Sequence, residues 1–193
     1  ITLLRGDARN FKYLKNNHFD VVIMEMLTTG LVDEFQVQAV NNLHKQRVVN
    51  EKTIFIPKLQ ETYISLAEKK FSIYGFNMRM VKHLWNNLSK NQKVKVLSDK
   101  VLINSIDFSK INDKEFSGIF RIKIIKSGVV NSVYLSSICY ITNNVAINDT
   151  ETLNSPVIIP FSKDKKVQEG DLLGVKISYK YGHGYNNFLV NLI

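Results

Sequence analysis

The chain has 193 residues, 45% hydrophobic and 22% charged, with a formal net charge of +9. This is the composition of a soluble globular protein with enough apolar surface for one large domain or two small ones, and no apolar run approaches the ~18 residues of a membrane-spanning helix. One cysteine, Cys139, excludes an internal disulfide, and four scattered histidines give no Cys/His framework, so no metal site is expected and a reducing, cytoplasmic setting is.

The lysines run from Lys12 to Lys180 without a dense block, so the basic excess reads as a solvated surface and nucleic acid is not the expected partner. Ile1-Thr2-Leu3-Leu4-Arg5-Gly6-Asp7 is neither a signal nor a transit peptide. With no initiator Met, the chain reads as the C-terminal part of a longer protein.

Residues 1–4 read as a strand and residues 9–17 as a short connecting helix. FDVVIMEM, residues 19–26, is too short for a helix and rich in β-branched side chains, which predicts a strand buried on both faces. Across residues 30–47 the period changes: Val32, Phe35, Ala39, Val40 and Leu43 recur at helical spacing. Strand, helix, strand, helix is the grammar of a parallel sheet.

After Pro57 short strands dominate, at residues 62–67, 94–97, 121–125, 133–141, 157–161, 173–181 and 188–193. Turn signals such as Lys126-Ser127-Gly128 and Glu169-Gly170-Asp171 separate them, which predicts an antiparallel sandwich or barrel. Between them, residues 76–88 read as a helix with Met80, Val81, Leu84, Trp85 and Leu88 on one face. The expected division is therefore residues 1–56, an α/β unit, and residues 57–193, a β-barrel-like unit.

Two carboxylates stand out. Glu25 closes the buried strand, and Glu34, nine residues later, falls one turn into the next helix. The C-terminal edge of a parallel sheet is where open α/β folds bind ligands, and a carboxylate pair suits the fixed N–H fork of a guanidinium. The plainer alternative has Glu34 complementing the helix N-terminus and Glu25 pairing with a local cation. Gly6-Asp7-Ala8, after the first strand, could contact a flat ligand or simply make a turn. Gly182-His183-Gly184, flanked by Tyr179, Tyr181 and Tyr185, reads as a turn with an exposed histidine. Cys139 reads as a buried small side chain. No GxGxxG cradle occurs in the chain.

Several segments, in chain order, resemble the protein arginine methyltransferases. ITLLRGDARNF is similar to their adenine-side strand and turn, and FDVVIMEMLTTGLVDE to their acidic-pair loop. IYGFNMRMVKH resembles the Tyr-Gly-Phe-Asp-Met stretch of the dimerisation arm, and VQEGDLLGVKISY a late barrel turn and strand. The resemblance implies the C-terminal part of a Rossmann-like methyltransferase domain, joined to an antiparallel β-barrel-like domain with a helical arm at about residues 71–88. It also implies S-adenosylmethionine as methyl donor, with Asp7 and Ala8 at the adenine edge and most of the cofactor site before Ile1. Glu25 and Glu34 would be the catalytic pair on a nitrogen acceptor, and a homodimer would form through the arm. Where the family carries Thr-His-Trp after a proline, this chain reads Val157-Ile158-Ile159-Pro160 after Pro156, which opens a small-molecule acceptor as an alternative. A different class remains: a non-catalytic β-barrel module for an acidic partner or nucleic acid.

Overall fold

The computed structural model describes residues 1–14, 18–84, 94–149 and 154–193. Strand β1 (Val21–Ile23) pairs in parallel with β2 (Ile54–Ile56), Val22 opposite Phe55, and helix α1 (Gln36–Lys45) lies between them in the chain. A parallel pair needs such a crossover. The helix has one apolar stripe, and it buries Val37, Val40 and Leu43 with Val48, Val49 and Phe55. It stops where Arg47 takes a positive φ of 56°, which a right-handed helix does not continue.

The parallel unit is smaller than its sequence suggests. Residues 1–4 form no strand, and Ile1, Leu3 and Leu4 are exposed. Residues 9–14 form no helix: the backbone N–H groups of Asn10 and Phe11 turn back onto the Asp7 carbonyl. Asn42 donates to the carbonyls of Ala8 and Phe11, and the Gln46 amide bonds Tyr13 N–H and Phe11 C=O. Side chains of α1 thus take the backbone groups that a local helix would have paired internally. β1 spans only three residues, with Val21 and Ile23 exposed. Its single neighbour in the sheet among the described residues is β2.

From Pro57 onward the structure is antiparallel. β3 (Leu59–Lys69) leads into a small hairpin of β4 (Ser72–Ile73) and β5 (Phe76–Asn77), then β6 (Lys82–His83), β7 (Val94–Val96), β8 (Val101–Asp107) and β9 (Glu115–Lys123). There follow β10 (Gly128–Tyr140), β11 (Ala146–Ile147), β12 (Val157–Val167), β13 (Leu172–Lys180) and β14 (Leu189–Leu192). One sheet runs β6-β12-β10-β3-β7, with β8 on β3 and β11 on β10; a second runs β14-β13-β9. Among the described residues these ladders close no barrel. They meet through the Ser98–Ile124 bridge and the Leu97 carbonyl, which accepts from Ile125 N–H at 2.7 Å.

The coarse class, α/β plus β, holds. A single buried cluster joins Ile64 and Leu66 of β3, Val133 and Leu135 of β10, Val175 and Ile177 of β13, and the inner face of α1.

The expected arm is not helical across its described part. Tyr74 and Gly75, at φ 49° and 85°, make the two-residue turn of the β4–β5 hairpin, a geometry that needs positive φ at both central positions. Lys82 and His83 then pair with Ile158 and Val157. The apolar spacing of Met80, Val81 and Leu84 fits a helix, but the hairpin turn and the ladder to β12 hold this chain extended. Trp85 and Leu88 lie outside the described residues.

Candidate functional site

The acidic residues flank a loop that is pinned to the antiparallel sheets from three directions. Within it, Thr29–Leu31 makes one 3-10 turn, with Gly30 at φ 70° and Leu31 at φ 54°. The Thr29 hydroxyl donates to the Ser155 carbonyl at 2.6 Å, and Gly30 N–H donates to Ser137 Oγ at 2.8 Å. Gln60 Nε2 donates to the Thr28 carbonyl at 2.8 Å. The Gly182-His183-Gly184 turn supplies the third clamp: Gly182 and Gly184 N–H donate to the carbonyls of Leu31 and Val32 at 3.0 and 2.9 Å. These bonds satisfy backbone groups of residues 28–32 and the Thr29 hydroxyl, whereas the buried Thr28 hydroxyl has no partner among the described residues.

Glu25 lies two residues past β1, and Glu34 lies two residues before α1 rather than one turn into it. α1 begins only at Gln36 because Phe35, at ψ 30°, precedes the helical run. Both carboxylates are on exposed residues, and neither enters a hydrogen bond or ion pair among the described residues. The structure brings further groups beside Glu34. Burial raises the Asp33 carboxyl above the usual range; nearby His83 acts the other way, and Glu34 adds to the rise. The His83 ring meets Tyr185 edge-on at 5.6 Å, and its Nδ1 lies 3.4 Å from Ser155 Oγ. Burial, then Asp33, pushes the Tyr185 phenol upward; its oxygen reaches the Thr29 carbonyl at 3.5 Å. Two adjacent carboxylates beside an imidazole and a phenol form an acidic rim that attracts a cation and offers groups to receive a proton.

Sequence reasoning missed Asp33, His83 and Tyr185. Asp33 adjoins Glu34 and was available as a paired acid. His83 and Tyr185 arrive from β6 and from the turn before β14, which no local spacing announces.

Asp7 and Ala8 stand apart from the acidic loop. The Asp7 carboxylate accepts the Arg9 guanidinium at 2.6–3.0 Å and Arg9 N–H at 2.9 Å, and these bonds hold its pKa below the usual range. The Ala8 carbonyl accepts from Asn42. Arg9 lies over the Phe35 ring at 4.2 Å, and His183, exposed as expected, meets that ring edge-on at 5.6 Å. These side chains line a cleft of about 930 Å³ with Gln38 and Lys180, but neither Asp7 nor Ala8 does. With the carboxylate committed to Arg9 and no glycine-rich turn in the chain, these residues do not by themselves fit an adenosyl cofactor. Cys139 is fully buried, its thiol pushed up to about 12 by burial.

A parallel strand–helix–strand unit is thus packed on antiparallel sheets, and this arrangement is similar to that of a solved protein. In particular, the chain matches the solved PRMT1 enzyme–prozyme heterotetrameric complex of Trypanosoma brucei with AdoHcy at a TM-score of 0.58 and 14% identity, over 84% of this chain. The match spans 60% of that protein's chain. In sequence, the chain is 28% identical over 192 residues to the uncharacterised protein MJ1452 of Methanocaldococcus jannaschii, covering 100% of this chain and 68% of that protein. No family model matches.

Proposed function

We propose that the chain is part of an S-adenosylmethionine-dependent methyltransferase acting on a nitrogen acceptor held by Glu25 and Glu34. The supporting observation is the acidic loop, clamped between the parallel unit and the antiparallel sheets, with no hydrogen bond or ion pair to either carboxylate among the described residues. S-adenosylmethionine supplies the methyl group in this reading. Its methionine and ribose contacts would come from residues other than those described here.

The chain's own residues act on the acceptor. A guanidinium accepts two carboxylates as charge-assisted partners, which fixes the reacting nitrogen in place. Its proton leaves during or after transfer, and a carboxylate of the pair receives it. In the intact protein, Glu25→Gln and Glu34→Gln should each lower turnover at least about tenfold, the effect of ~1.4 kcal/mol of lost transition-state stabilisation. S-adenosylmethionine affinity, followed by calorimetry, should stay within about twofold of the wild type. Unchanged turnover in both variants would reject the acidic pair as the acceptor site.

A second reading changes the acceptor to a small molecule. It draws on the stretch facing the loop, which reads Val157-Ile158-Ile159-Pro160 and has no histidine or aromatic ring of its own, those near Ser155 being His83 and Tyr185 from other elements. A screen of peptide against small-amine acceptors separates the two. We also propose a homodimer formed through the projection at residues 71–84.

A further inference from the structure

β3 ends at Lys69, and Lys70 follows it where the chain turns into the β4–β5 hairpin. A cavity of about 360 Å³ opens there, its lining including Lys69, Lys70, Ser72, Asn77, Arg79 and Asp164. The hairpin turn leaves its mouth open: a Cβ added at Gly75 would meet nothing within 4 Å.

Lys69 is only 7% exposed. It is held in place through its backbone: its N–H donates to Asn131 Oδ1 at 2.9 Å, and Asn131 Nδ2 donates to its carbonyl at 3.0 Å. A lysine this buried is ordinarily paired with an acid, yet no ion pair to Lys69 forms among the described residues. Burial, and then the neighbouring cation Lys82, hold its ammonium below the usual lysine range. The one carboxylate lining the cavity is already taken: Asp164 accepts Arg79 at 2.7 Å, and the other terminal nitrogen of Arg79 donates to the Phe161 carbonyl at 3.0 Å. Among the described residues, three cations therefore face the cavity against a single neutralised acid. Positive charge in a partly enclosed space is weakly screened, and an anion entering it gains more than it would on an open surface.

We propose that this cavity binds a phosphoryl anion, with Lys69 and Lys70 as its charge partners, Arg79 fixed beside them, and Ser72 and Asn77 as neutral donors. A dianion matches the surplus of two positive charges, and lysine serves phosphate as a point charge. The proposal is independent of the methyltransferase reading.

The test is calorimetric titration of the intact protein with pyrophosphate and with a sugar phosphate, at constant ionic strength set by chloride. Saturable binding of one anion per chain is expected. Lys69→Met, which keeps the aliphatic stem, should weaken it at least about tenfold, as loss of one charge-assisted contact does. Lys70→Met, on an exposed side chain with little bearing on folding, should weaken it severalfold, and Lys163→Met, on β12 outside the cavity, should leave it unchanged. Tighter binding of the sugar phosphate assigns the site to a phosphorylated metabolite; equal affinities assign it to the free anion. Absence of saturable binding overturns the proposal. So does binding that Lys69→Met and Lys70→Met leave intact, or a loss in all three variants alike, which is the mark of a diffuse basic surface.

Discussion

Among single residues, Asp33 carries the clearest consequence. Its carboxyl, on an exposed residue, is raised by partial burial and by Glu34, with His83 opposing, so folding shifts it toward the neutral acid relative to the unfolded chain. The sign for stability follows: the contribution is greatest below the ordinary value of 3.8 and is lost as pH rises through the raised value. Acceptor binding has the opposite sign, because a cation needs the ionised form. Affinity for a cationic acceptor should therefore fall as pH drops through a range above 3.8, and Asp33→Asn should flatten that acid limb while raising the thermal midpoint at neutral pH. Binding measured by fluorescence anisotropy across the acid range checks this. An acid limb that persists unchanged in Asp33→Asn would assign the titration elsewhere. Spacing after an apolar strand is what singles out Glu25 and Glu34 in the sequence. His83 and Tyr185 carry no such signal, because their proximity to Asp33 comes from packing across up to about 150 residues of chain rather than from any period.

At the level of elements, the Gly182-His183-Gly184 turn matters more than its exposed histidine suggests. Gly182 has φ 73°, and a Cβ there would lie 2.5 Å from Phe35 Cδ1 and 3.0 Å from the Glu34 carbonyl. Alanine would be strained by its own backbone and would also push on the segment that carries Glu34. Gly170, at φ 95° with nothing within 4 Å, isolates the first effect. Each alanine variant should cost upwards of ~1 kcal/mol for adopting positive φ, but Gly182→Ala alone should also lower turnover of the intact protein. Urea unfolding and initial rates on both variants give the comparison; equal turnover in the two would mean that the turn does not position the acidic loop.

The antiparallel strands were readable because alternation reports a half-buried face, as in β13, where Leu173, Val175, Ile177 and Tyr179 point inward. β8 escaped because Val101–Asp107 changes register against β3 at Thr62 and Tyr63, which breaks a simple alternation. Residues 1–4 failed for a different reason. Apolar content shows a capacity to be buried, whereas a strand also needs a neighbour to complete its hydrogen bonds.

At the scale of the whole molecule, burial and exposure of apolar groups are unevenly shared. One continuous core ties α1 to both antiparallel sheets, yet the hairpin beside β3 presents Tyr74, Phe76, Met78 and Met80 to solvent at 98%, 71%, 46% and 48% exposure. Exposed apolar residues scattered singly are ordinary; four this close together in the chain are where we place the proposed contact. The sequence reading shares only Met78 and Met80 with this exposed set and assigned them the wrong shape: Met80, Val81 and Leu84 satisfy a helical spacing, but the Tyr74–Gly75 turn and the ladder to β12 hold the chain extended, and Val81 packs against the core. A second copy of the chain is the proposed occupant. Tyr74→Ser and Phe76→Ser remove apolar area that the folded monomer does not bury, so each should leave the monomer's stability within about 0.5 kcal/mol. Together they should shift the intact protein from dimer toward monomer in light scattering over a concentration series. A mass that stays dimeric in the double variant would move the interface away from the hairpin, and a wild type that is monomeric at every concentration would remove it.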